Sequence, residues 1–143
     1  MKKAIALLLA LVMVFALCAC GGGDKGTADN GEKVVKIGVF EPASGDSGAG
    51  GKKEMLGMQY ANQETPTVEI GGETYKVELV YSDNGSDSAK AVSAASKLVN
   101  EKVSLVLGSY GSGVSIAASD TFKQAGIPAI GVTCTNPNVT AGN

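Results

Sequence analysis

Residues 103–120, VSLVLGSYGSGVSIAASD, constrain the fold more than any other stretch. The apolar run Val103–Leu107, broken only by Ser104 and bounded by Gly108, has the length of a strand buried on both faces. Gly108, Gly111 and Gly113 then allow a tight turn and close approach to another molecule, since none carries a Cβ. A helical pattern follows directly, with Val114, Ala117, Ala118 and Phe122 about a turn apart, and Ser112 at or next to its N-cap. A helix start presents unpaired N–H groups and the positive end of the dipole, which favour an anion. Taken alone, the stretch reads best as an ordinary capped strand-to-helix turn without a ligand; its neighbours reverse that preference.

The same alternation runs through the rest of the chain. Val34–Phe40 reads as a first strand, and the glycine-rich loop Glu41–Gly51 leads into a helix over Lys52–Glu64, with Met55, Met58, Tyr60 and Ala61 on its apolar side. Thr67–Ile70 and Glu73–Tyr81 flank Gly71-Gly72, a two-residue hairpin signal. In the second run Tyr75, Val77 and Leu79 alternate with Lys76 and Glu78, which predicts one wet face and a place at a sheet edge. Ser82–Ser86 is a turn cluster before a helix over Asp87–Glu101, where Ala91, Val92, Ala95, Leu98 and Val99 recur at helical spacing. Gly126–Thr133 ends the next helix and supplies a fourth strand.

The order β-α-β-α-β-α-β predicts an α/β fold with a doubly wound, mostly parallel sheet. Ligands of such sheets bind beyond the carboxyl ends of the strands. Here those ends feed Ser44–Gly51, Ser82–Ser86, Gly108–Ser112 and Thr133–Asn136, all small and polar, as a site for a small polar ligand requires.

Composition excludes several classes of function. The chain has no His, which removes Ser-His-Asp and Cys-His catalysis and the usual zinc sites. Its net charge is −2 and its basic residues are all Lys, a poor footprint for nucleic acid. Gly51-Lys52 is preceded at the required position by Asp46 and followed by Lys53, so no Walker loop is present. Neither glycine loop fits the dinucleotide pattern. Ser109 and Ser112 lie outside any G-x-S-x-G elbow. Asp83, Asp87 and Asp120 are the acids nearest the ligand edge and read best as caps or turn residues. We expect a binding module without cofactor or metal, not an enzyme.

The first thirty residues have a different role. Met1-Lys2-Lys3 followed by the apolar run Ala4–Leu17 reads as an export signal. Leu17-Cys18-Ala19-Cys20-Gly21 resembles the lipobox of bacterial lipoproteins, which implies a signal peptide over 1–19 and lipid on Cys20, Cys18 leaving with the signal. Residues 20–33 are rich in Gly, Asp and Lys and are expected to form a tether. The folded part then comprises 34–143, held outside the cytoplasm at a membrane surface.

From Val34 to Thr140 the chain resembles the extracytoplasmic solute-binding proteins of ABC transporters, specifically the branched-chain amino acid (Leu/Ile/Val) type. The resemblance rests on the order and spacing of KIGVFEPASGDSGAGGKKEMLGMQYAN, VELVYSDNGSDSAKAVSAASKLV and VSLVLGSYGSGVSIAASDTFKQAGIPAIGVTCTNPNVT, with the lipobox before them. It implies a type I periplasmic-binding-protein fold, two lobes closing on an amino acid, and delivery to an ABC permease. It places the family's carboxylate-binding serine on Ser112, beside Gly111, and its carbonyl- and hydroxyl-bearing segment on Thr133 and Thr135. Where many relatives carry a pocket aromatic, this chain has Gly50; Tyr110 is the candidate substitute, or else a rim or packing residue. The length matches only an incomplete N-terminal lobe, so a partial reading frame is expected, and half a cleft buries too little ligand for tight binding. Alternatives are a ligand-sensing ectodomain, or a binding protein for an amide, urea or an aromatic acid.

Overall fold

The structure, a computed structural model, describes residues 31–141. The expected signal peptide, Cys20 and most of the tether lie outside the described residues.

Five strands form one sheet, β1 (Lys33–Glu41), β2 (Thr67–Ile70), β3 (Glu73–Asp83), β4 (Leu105–Leu107) and β5 (Ala129–Ile130), in the order β2-β3-β1-β4-β5. Only the β2–β3 pair is antiparallel. β1 lies at the centre, Ile37 opposite both Leu79 and Leu105. Gly71 and Gly72 join β2 to β3 with φ of 62° and 83°, the left-handed pair that a two-residue hairpin needs.

The expectation that Glu73–Tyr81 forms a sheet edge is corrected: β2 is outermost, and β3 sits between β2 and β1. Its alternation comes from uneven cover. On the face of Lys76 and Glu78 the overlying helix arrives only further along, where Val80 joins the core and the Ser82 hydroxyl donates to Ala94 O at 2.9 Å. The fourth strand is also shorter than expected: only Ala129–Ile130 of Gly126–Thr133 pairs.

Three helices connect the strands: α1 (Gly48–Glu64), α2 (Ser88–Asn100) and α3 (Ser112–Gln124). Asp87 caps α2, its carboxylate accepting from Ala89 N at 2.8 Å. The chain moves from β1 to β3 on one side and then to β4 on the other. Right-handed crossovers therefore put α1 on one face of the sheet and α2 on the opposite one. Side chains agree: Phe40 enters the core under α2 and α3, where Leu98, Val106, Val114, Ala118 and Phe122 are buried. Phe40 and Phe122 meet edge to face at 5.5 Å. Val92, placed on the apolar side of its helix by spacing, is 49% exposed.

α1 begins four residues before the expected Lys52. Gly48 N donates to Gly45 O, and Gly50 N and Gly51 N both donate to Ser47 O, each at 3.0 Å. Glycines are poor helix formers, which hides this turn from propensity. They are needed for closeness: a Cβ on Gly51 would lie 2.3 Å from Pro42 O.

Candidate functional site

The carboxyl ends of β1, β3, β4 and β5 bring the four polar loops to one edge, as expected. Strand order reverses between β1 and β4, because the first crossover leaves β1 in one direction and the second returns past it. The crevice of a doubly wound sheet opens at such a point, here between the β1–α1 loop and the turn 108–111.

The β1–α1 and β3–α2 loops form a fixed platform. Asp83 Oδ1 accepts from Ala43 N and Gly85 N, each at 2.8 Å, and the Ser44 hydroxyl donates to Asp83 Oδ2 at 2.7 Å. Desolvation acts upward on this carboxyl, but the Ser44 hydroxyl and the N–H groups of Gly85, Ala43 and Ser44 outweigh it and hold the pKa below 3.8. Asn84, fully buried, ties the platform to the crevice by donating to Phe40 O at 3.2 Å and to Ser109 Oγ at 3.0 Å. Asp83 and Asp87 are thus turn and cap residues, as the sequence suggested.

On the far side of the crevice α3 begins. Its N-cap is Gly111, at φ 147°, and no side chain caps the helix. The first-turn N–H groups of α3 therefore have no side-chain acceptor of the usual capping kind. Ser112 Oγ accepts from Thr135 N at 3.1 Å and Asn136 N at 3.2 Å, which leaves its own proton free to donate outward. These bonds bring the segment 133–136 against the α3 N-terminus, with Thr133 and Thr135 exposed on it. Asn136 caps the following 3₁₀ turn, Pro137–Val139, by accepting from Asn138 N. Cys134 is half-buried beneath, its thiol 3.3 Å from Ser115 Oγ and 3.4 Å from Ser109 O.

Tyr110 lies over Gly50. A Cβ at Gly50 would stand 2.6–2.8 Å from three atoms of the tyrosine ring, so the glycine makes room for it. The ring remains 42% exposed at the crevice. Ser112, Thr133, Thr135, Gly111 and Tyr110 are thereby gathered on one edge of the sheet, as the sequence placed them. Glu41, Glu54, Asn84 and Ser109 were not singled out as functional. Glu41 had one legible signal: it continues the inward alternation of Val39 at the end of an apolar strand. Its backbone carbonyl accepts from Asn84 N at 3.4 Å, and its Oε2 accepts from Tyr110 N at 2.8 Å.

The edge thus sets first-turn N–H groups, the Ser112 hydroxyl, the exposed Thr133 and Thr135, and the Tyr110 ring side by side. Among the described residues no cluster of acids or cysteines is arranged to hold a metal ion, and no helix is long and apolar enough to cross a membrane.

Known proteins share this architecture. A Leu/Ile/Val-binding protein homologue from Brucella abortus is 34% identical over 129 residues, covering 90% of this chain and 33% of the relative. Leucine-binding protein LivK from Thermotoga maritima superposes with a TM-score of 0.70 at 36% identity, over 77% of this chain and 31% of its own. Branched-chain amino acid binding protein LivJ from Streptococcus pneumoniae, solved with isoleucine, gives 0.68 at 34% identity, over 77% and 32%. The chain thus spans about a third of the length of the relatives it matches. The family model described as periplasmic binding protein matches residues 34–143. With its mostly parallel five-stranded sheet of the type I kind and its loops gathered at the switch point, the chain belongs to the periplasmic binding protein family.

Proposed function

We propose that this chain supplies one wall of a solute site for an aliphatic amino acid, of the branched-chain class, in the extracytoplasmic binding component of an ABC importer. The observation that carries the reading is the start of α3. An uncapped helix N-terminus, the Ser112 hydroxyl and the segment 133–136 meet at the switch point, where an α-carboxylate would be held by dipole and N–H groups. The hydroxyl of Ser112 donates to that carboxylate, and carbonyls near Thr133 and Thr135 accept from the ammonium. Tyr110, seated on Gly50, borders the side-chain pocket. A second lobe would close the cleft, supply the remaining ammonium partner and present the loaded protein to a permease. The solute is bound and released unchanged.

Calorimetric titration of the protein completed by its second lobe with L-leucine, L-isoleucine and L-valine tests the site. A hydrogen bond to a charged group contributes about 1.5–3 kcal/mol, so Ser112→Ala should weaken binding roughly 10- to 100-fold. Undiminished binding by that variant would remove Ser112 from the site. Anchoring through lipid on Cys20 is tested by fractionation: Cys20→Ser should move the chain out of the membrane fraction, and an unchanged distribution would contradict the anchor.

A further inference from the structure

Two carboxyl groups lie beneath the crevice without any role in the reading above. Glu41, at the end of β1, is 1% exposed. Its Oε2 accepts from Tyr110 N at 2.8 Å. No N–H or other protein donor reaches Glu41 Oε1 or either carboxylate oxygen of Glu54, and all three are buried. Glu54 comes from α1, and its carboxyl lies beside that of Glu41, close enough to raise its pKa. Two ionised carboxylates can only accept, so a bond between them requires one proton. Gly108 closes the space from the other side, where a Cβ would stand 2.6 Å from Glu41 Oε1.

We propose that Glu41 and Glu54 share one buried proton, and that this proton fastens the Tyr110 turn to the first turns of α1. Glu41 is then a positioning residue: it holds Tyr110 N–H with one oxygen and Glu54 with the other, which keeps the tyrosine ring over Gly50. The role at the solute site rests on the function proposed above; the shared proton does not.

The surroundings support this assignment. Burial, then the Glu54 carboxyl beside it, raise the Glu41 pKa from 4.5 to about 8, against the lowering effect of Tyr110 N–H. Asp83, the register partner of Glu41 on β3, turns its carboxylate to Ala43, Ser44 and Gly85. Lys52 and Lys53 of α1 are exposed. Because the folded form keeps a proton that the unfolded chain releases, stability falls as pH rises from 4.5 to about 8 and levels off above that. The turn itself loosens as pH passes about 8, when the second carboxylate ionises.

Glu41→Gln tests the proposal, since an amide keeps the acceptor for Tyr110 N–H and donates permanently to Glu54. Three readouts on the full chain need no solute: the infrared carbonyl band of a buried carboxylic acid, the melting temperature against pH, and the amide resonance of Tyr110. In the native chain the acid band should be present at neutral pH and disappear with a midpoint near 8, and the Tyr110 amide should move with it. In Glu41→Gln that band should be missing, the amide should stay fixed, and the melting temperature should exceed the native one at pH above about 8. If Glu41→Gln does not fold, Glu54→Gln serves: its amide donates to Glu41 in the proton's place, so the midpoint should fall below about 8, and an unmoved midpoint would overturn the shared proton.

Parallel pH curves for native and variant chains, with no acid band assignable to either glutamate, would overturn the proposal. So would calcium or sodium raising the melting temperature of the native chain but not of Glu41→Gln, which would put a cation in the proton's place. Failure of the protein completed by its second lobe to bind L-leucine at any pH would sink the solute reading while these readouts on the present chain still judged the proton. Should leucine bind, its affinity should fall above pH about 8 in the native chain only; equal falls in both would remove the positioning role.

Discussion

Under α2 and α3 the sheet meets a closed apolar layer, with Phe40, Leu98 and Val106 against Val114, Ala118 and Phe122; under α1 it meets glycines, a proline and two carboxyl groups. Only Gly48 and Gly51 of α1 are buried, while Leu56 and Tyr60 are 64% and 65% exposed. Both helical layers cover the same strands, yet one is held by area removed from water and the other by close backbone approach and a few polar contacts. The lean face borders the crevice on one side. A helix seated on glycines comes near enough for its first turn to wall the crevice, and leaves room for Tyr110 to lie across it.

The largest test of this contrast is a pair of truncations. Phe122→Ala on the apolar side should destabilise by about 3–5 kcal/mol, whereas Leu56→Ala on α1 should stay within about 0.5 kcal/mol. Urea denaturation reads both, and similar losses would erase the distinction. A finer test lies within α1 itself. Gly51→Ala drives a methyl into Pro42 O and should destabilise by about 1–3 kcal/mol. Gly57 has open space around it in mid-helix, so Gly57→Ala should stabilise by about 0.5–1 kcal/mol. If both alanines proved neutral, close approach would not be what seats α1. The smallest effect is at low pH. The Asp83 carboxyl is held below its unfolded value of 3.8, so its stabilisation is present above that pH and disappears as pH falls through the folded value. Asp83→Asn should flatten the acid limb of melting temperature against pH; an identical limb would show the platform does not depend on its charge.

The strand and helix order was legible because apolar runs and helical spacing are local patterns. Ala91, Ala95 and Leu98 repeat a turn apart and are buried together. The position of β3 was not legible, since its alternation looked like that of an edge strand. What decided it was how far α2 reaches along the sheet, a tertiary fact. The start of α1 was hidden for a related reason: Gly48–Gly51 contradict helix propensity and form a turn only because Pro42 lies beneath. At the site, Ser112, Thr133 and Thr135 were placed by family resemblance as well as by the strand-to-helix pattern. Tyr110 was named, but its seat on Gly50 joins residues 60 apart in sequence and becomes visible only in three dimensions. Glu41 and Asn84 are buried polar groups whose partners come from distant elements, the turn 108–111 among them, so no spacing rule could pair them.

The central claim is that a solute carboxylate docks where α3 begins. Amide resonances of the full chain, followed while L-leucine is added, test it directly. Ser112, Gly113 and Val114 should shift together with Thr135, and isopentylamine, which lacks the carboxylate, should leave them in place. Shifts confined to other loops, or the same shifts with isopentylamine, would contradict the claim.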